Sequence, residues 1–99
     1  MEMLKTSNWM PWKRQMLAVL RDLGLEKYIA ADAKIPELAN RSKPTPEELE
    51  KQKKWREGDT KACTRIELAI SDAEMIHISG TMTAREMWNQ LSLVKESKG

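Results

Sequence analysis

The residue types that most often carry catalytic or metal chemistry are thinly spread in this chain, which has one histidine, His77, and one cysteine, Cys63. Together they offer two metal ligands, whereas a closed zinc site takes four and a catalytic one takes three from the protein. No metal is expected. A cysteine nucleophile needs a base and a group to orient that base. Cys63 instead falls one position from an apolar helical stripe, where a small buried side chain is its ordinary role. The acids Glu47, Glu48, Glu50, Glu57 and Asp59 interleave with Lys51, Lys53, Lys54, Arg56 and Lys61. Most can meet an opposite charge four residues away, the pattern of a solvated helix face. No glycine-rich phosphate loop, GxSxG elbow or HExxH pair is present. Neither an enzyme, a cofactor nor a small-molecule substrate is expected.

Aromatic rings among Lys and Arg can stack nucleic-acid bases, so the four tryptophans need an account. Each of Trp9, Trp12, Trp55 and Trp88 falls on the apolar stripe of its own segment, which predicts core positions. Lys13, Arg14 and Arg21 on the outer face of the first segment, with Lys51, Lys53 and Lys54, are candidate weak phosphate contacts. Asp22 and the neighbouring acids dilute that patch, and a net charge of +2 adds little to it. A small helical RNA-binding module is the alternative function that these residues keep open.

The elements that must position these side chains read as helices. The 99 residues include no Phe, one Tyr, four Gly and four Pro. They are rich in Leu, Met, Ala, Glu and Lys, which lose least on entering a helix. Trp9, Trp12, Met16, Val19, Leu20 and Leu23 recur at three- and four-residue steps, predicting a first helix over about 9–23. Ser7 or Asn8 caps it, Pro11 falls in its first turn and Gly24 ends it. Leu25, Tyr28 and Ile29 share one side of a short helical turn over 25–30. Three of the four prolines then mark residues 31–46 as a loop. Thr45, Pro46 and Glu48 spell a capping box, and a second helix follows over about 46–71. Its stripe, Trp55, Ala62, Ile66, Ala69 and Ile70, makes only its later half core, and Gly58 is a candidate break.

Residues 73–79, with Met75, Ile76 and Ile78, read as a helical turn or an extended link. Thr83 and Glu86 form a second capping box, opening a last helix over 84–95 striped by Ala84, Met87, Trp88, Leu91 and Val94. Residues 96–99 are a polar tail with nothing to bury. The fold class is all-α, a single domain over 1–99 built as a small helical bundle of three main helices. No apolar run approaches the roughly 20 residues that span a bilayer, and no secretory signal is evident. An intracellular, cytoplasmic setting without a membrane partner is expected.

The order of motifs resembles the Gag polypeptide of copia-type LTR retrotransposons. The opening SNW, Trp and basic-apolar helix ending in Gly-Leu match at Ser7, Asn8, Trp9, Trp12, Lys13, Met16, Leu17, Leu20, Gly24, Leu25 and Ile29. The middle motif matches at Trp55, Asp59, Ala62, Ile66 and Ile70, and the closing one at Thr83, Ala84, Glu86, Trp88 and Leu91. The resemblance spans roughly residues 4–94. It implies the amino-terminal, capsid-like half of a Gag polypeptide, a structural domain that assembles with other Gag copies into a virus-like particle. The family's second helical half and its RNA-holding CCHC knuckle have no counterpart in these residues. Met10, Leu17, Leu68 and Leu93 lie off the main stripes and are the candidate self-association residues.

Overall fold

The computed structural model describes residues 1–96. Three α-helices, α1 (Trp9–Asp22), α2 (Pro46–Leu68) and α3 (Ala84–Glu96), carry the fold. Two 3-10 segments, Glu26–Tyr28 and Asp72–Ile78, connect them. Among the described residues there is no strand; a single parallel bridge joins Leu4 to Ile70. The all-α expectation holds, and each of the three main helices starts at its predicted residue, with its carboxy-terminal end moved by one to three residues.

Local chemistry explains most of those ends. Thr45 accepts from the Glu48 amide at 3.1 Å while Glu48 accepts from the Thr45 amide at 3.0 Å, the reciprocal cap that α2 was expected to have. Gly24 takes φ +72°, the left-handed residue that lets the chain turn out of α1. The cap of α1 differs from expectation. Asn8 is at the cap position with no side-chain cap bond, because its Oδ1 accepts from the Lys5 amide at 2.6 Å and its Nδ2 donates to the Met3 carbonyl at 2.9 Å. Asn8 thus pins the amino-terminal segment in place of closing the helix. At α3, the Glu86 amide donates to Thr83 Oγ1, but the Glu86 carboxylate meets the Thr83 hydroxyl, so the reciprocal half of the box is replaced.

Helix α2 runs straight through Gly58 without a break. The missing Cβ serves packing, since the Tyr28 ring lies against the backbone at that position.

Leu4, Trp12, Met16, Leu20, Ala62, Ile66, Ile70, Ala84 and Leu91 are all but sealed from solvent, joined by Trp9, Leu25, Tyr28, Ile29, Ile78, Met87 and Trp88. Burying a side chain of this size removes apolar area worth about 1.5–3 kcal/mol. Two expected stripe members, Leu23 and Val94, are exposed at the ends of their helices, where the partner helices no longer cover them. Trp55 is half-buried at the core's edge. In the Asp72–Ile78 segment only Ile78 and Glu74 turn inward, leaving Met75 and Ile76 outside.

Candidate functional site

Three of the four tryptophans form one cluster. Trp9 and Trp12 stack at 5.7 Å between centroids, Trp12 and Trp88 at 6.0 Å, and Trp9 and Trp88 tilt together at 6.1 Å. These are the separations at which aromatic pairs gain beyond their buried area. Their polar ends are satisfied as well. Trp12 Nε1 donates to the Ala69 carbonyl at 2.8 Å, and Trp9 Nε1 donates to Glu96 Oε2 at 3.0 Å. The Ala69 carbonyl also accepts from the Leu4 amide at 2.7 Å, so the open C-terminal end of α2 is closed by the first residues of the chain and by α1. Trp55 meets Tyr28 edge-on at 5.7 Å, away from the other three. With their faces packed on one another, Trp9, Trp12 and Trp88 leave no platform for bases.

Two buried acids had no place in the expected core. Asp59 is only 6% exposed and accepts from the Ala84 amide at 3.0 Å, so a carboxylate from the middle of α2 caps the start of α3. Burial pushes its pKa up, opposed by that hydrogen bond and assisted by the negative charge of Glu86. Asp59 was expected on the solvated face, and it departs because α3 brings free amide donors against it. Its offsets of four from Trp55 and three from Ala62 are the sequence signals that place it on the core side. Glu74 is equally buried and forms an ion pair with Lys95, with His77 Nε2 3.8 Å from its other oxygen. Residues 74 and 77 share a side because a 3-10 helix repeats every three residues.

Glu96, expected as the first residue of a polar tail over 96–99, belongs instead to α3 and accepts from Lys13 Nζ at 2.6 Å as well as from Trp9. These two bonds hold its pKa below the ordinary 4.5. Residues 97–99 lie outside the described residues.

The candidate phosphate contacts divide into two groups. Lys13 is committed to Glu96, and Arg21 faces Glu26 at 3.3 Å. Arg14, Lys51, Lys53 and Lys54 are exposed. The candidate self-association residues divide too: Met10, Leu68 and Leu93 are 66%, 71% and 68% exposed, whereas Leu17 is half-buried against the core. Leu68 borders a groove between α2 and the Glu26–Tyr28 turn, together with Leu23, Leu25, Tyr28, Lys54 and Lys61. Among the described residues no cluster of three or more His, Cys, Asp or Glu could hold a metal. Burial raises the Cys63 thiol to about 12, with the negative charge of Asp59 adding to it. No helix of the described residues is long and apolar enough to cross a membrane.

Fold and core together describe a small all-α domain with a filled interior. The chain belongs to the gag-polypeptide family of LTR copia-type elements, whose family model matches residues 16–98. The middle and closing motifs lie within the matched stretch, while Ser7, Asn8, Trp9, Trp12 and Lys13 precede it. No curated protein and no solved structure matches the chain.

Proposed function

We propose that this domain is a self-assembly unit of a retrotransposon capsid, contributing protein–protein contacts between Gag copies in a cytoplasmic virus-like particle and performing no catalytic step. Membership of the copia-type Gag family carries this reading. Three features of the molecule support it. The aromatic cluster is spent on the core, which leaves the surface as the working part. Large apolar side chains, Met10, Leu68 and Leu93, stand exposed off that core. The one thiol is raised out of the nucleophilic range by burial. The RNA-binding alternative is weakened by the pairing of Lys13 and Arg21 with acids of their own chain.

Shells of this kind are held by many weak, repeated contacts, so a single domain is expected to be a monomer or weak dimer at micromolar concentration. Sedimentation velocity over a concentration series tests this, and co-expression with a copia-type Gag polypeptide tests incorporation. Concentration-dependent association and recovery inside particles are the expected results. Strictly monomeric behaviour at millimolar concentration, together with exclusion from particles, would overturn the proposal.

A further inference from the structure

Helix α2 presents to solvent a row of side chains at alternating three- and four-residue steps: Glu47, Glu50, Lys54, Glu57, Lys61 and Thr64. That spacing keeps them on one seam along the helix, and every one of them is exposed. The seam points away from Ala62 and Ile66, which face the core, and along it Lys54, Glu57, Lys61 and Thr64 form one wall of the open groove whose other wall is Leu23, Leu25 and Tyr28. From the amino-terminal end its charges run acid, acid, base, acid, base.

Opposite charges four residues apart, Glu50 with Lys54 and Glu57 with Lys61, were expected to pair within the helix. Among the described residues none of these four takes part in an ion pair; the bridges of the molecule lie elsewhere. Four charges therefore stand on one exposed edge without a partner.

Their order is self-complementary when the helix is laid antiparallel against a copy of itself. A two-fold axis passing between Trp55 and Arg56 sets Glu50 against Lys61 of the second copy and Lys54 against its Glu57. The same two pairs recur on the other side of the axis, as an isologous contact requires. Glu47 then faces Thr64, so no like charges are opposed along the seam. At 1.5 Å per residue, the 18 residues from Glu47 to Thr64 span about 27 Å, the length over which the two helices would lie side by side.

We propose that the outer edge of α2 is a homotypic interface whose occupant is the antiparallel α2 of a second copy of this chain. The proposal rests on the reading of the domain as a self-assembling Gag unit and names the surface and register of one contact. Exposed ion pairs are individually weak and screened by salt, so the pair is transient in solution and gains lifetime only in an array. Charge order sets the register and orientation, as it does between helices of a coiled coil.

The test is a mixing experiment on the 99-residue chain, read by sedimentation velocity and by concentration-dependent amide shifts at low and high salt. One variant carries Glu50→Lys and Glu57→Lys, making the four pairing positions of its seam all basic; the other carries Lys54→Glu and Lys61→Glu, making those four positions all acidic. All four positions are exposed, and circular dichroism confirms that each variant folds. Each variant alone is expected to lose self-association by tenfold or more relative to the unsubstituted chain. An equimolar mixture of the two is expected to associate more tightly than the unsubstituted chain, with the gain lost in high salt. Absence of a complex in the mixture overturns the interface. If the unsubstituted chain self-associates and the two variants do so equally well, this edge is wrong while the self-assembly reading stands. If none of the samples associates and the chain is also excluded from Gag particles, both readings fail.

Discussion

Gly58 is a helix-interior glycine whose replacement should reverse the usual sign. At an ordinary exposed helix position, Gly→Ala stabilises by about 1 kcal/mol, because alanine loses less backbone freedom on folding. Here a Cβ would run into the Tyr28 ring, 2.7 Å from its Cε2 and closer still to Cζ and the hydroxyl. The ring cannot easily step aside, since Tyr28 is 6% exposed and held edge-on against Trp55. Overpacking of this kind costs about 1–3 kcal/mol, and a clash with three ring atoms belongs at the upper end. Offsetting about 3 kcal/mol of clash with about 1 kcal/mol of helix gain leaves Gly58→Ala destabilising by about 2 kcal/mol. Urea denaturation followed by circular dichroism measures this as a lower midpoint at unchanged slope. The decisive comparison is the double-mutant cycle with Tyr28→Leu, which removes the obstructing ring. In that background Gly58→Ala should become stabilising by about 1 kcal/mol, giving a coupling of about 3 kcal/mol. A stabilised Gly58→Ala single variant, or a cycle with no coupling, would refute the claim that the glycine is there for the tyrosine.

Other perturbations have equally definite outcomes. Trp12→Ala and Trp88→Ala should each cost about 3–5 kcal/mol by chemical denaturation, enough to unfold much of so small a domain, whereas near-neutral variants would place the rings at the surface. Cys63 should resist thiol labelling in the native protein at pH 8 and react once urea unfolds it, because burial holds its pKa near 12; Cys63→Ser should lower stability modestly and leave association unchanged. The carboxyl of Glu96 has a folded pKa below its unfolded value of 4.5, so the stability it contributes is present above pH 4.5 and lost as pH falls through the lower folded value. Glu96→Gln should therefore flatten the acid side of the stability profile, and an unchanged profile would show that the contacts with Lys13 and Trp9 contribute nothing. Asp59→Ala leaves the Ala84 amide without its acceptor and should cost about 0.5–2 kcal/mol; a neutral result would mean that water replaces the carboxylate.

The helices and most of the core were legible because their signal is local. Periodicity located Trp9, Trp12, Met16, Leu20, Ala62, Ile66, Ala84, Trp88 and Leu91, and a three-residue capping pattern located the start of α2. What escaped was settled by residues distant in the chain. Asp59 looks like one more acid on a charged helix until the α3 amides arrive beside it. Glu74 becomes tolerable in the interior only because Lys95 reaches it, and nothing near position 74 announces a lysine 21 residues later. Leu4 lies before any periodic segment, so no stripe could include it, yet it is sealed by its bridge to Ile70. Leu23 and Val94 failed in the opposite direction, since periodicity continues to a helix's last turn whether or not a neighbour extends that far. The charged edge of α2, Glu47, Glu50, Lys54, Glu57 and Lys61, was read as a solvated face and is exposed, because alternation of charge along a helix is also a local signal.

The closing of α2 by Leu4 and Trp12 also bears on when the molecule can fold during its synthesis. Trp12 waits for a carbonyl 57 positions away, and Trp9 for a carboxylate 87 positions away. On a ribosome, α1 therefore emerges with two large aromatic faces and no cover until nearly the last described residue has been added. Vectorial synthesis gives the nascent chain a long interval of exposed indole rings, during which neighbouring chains on one message sit close together. Such an interval invites chaperone capture or misassembly between nascent copies. Messages truncated before the α3 codons should yield chains that aggregate or are degraded, because the tryptophan cluster lacks its third ring.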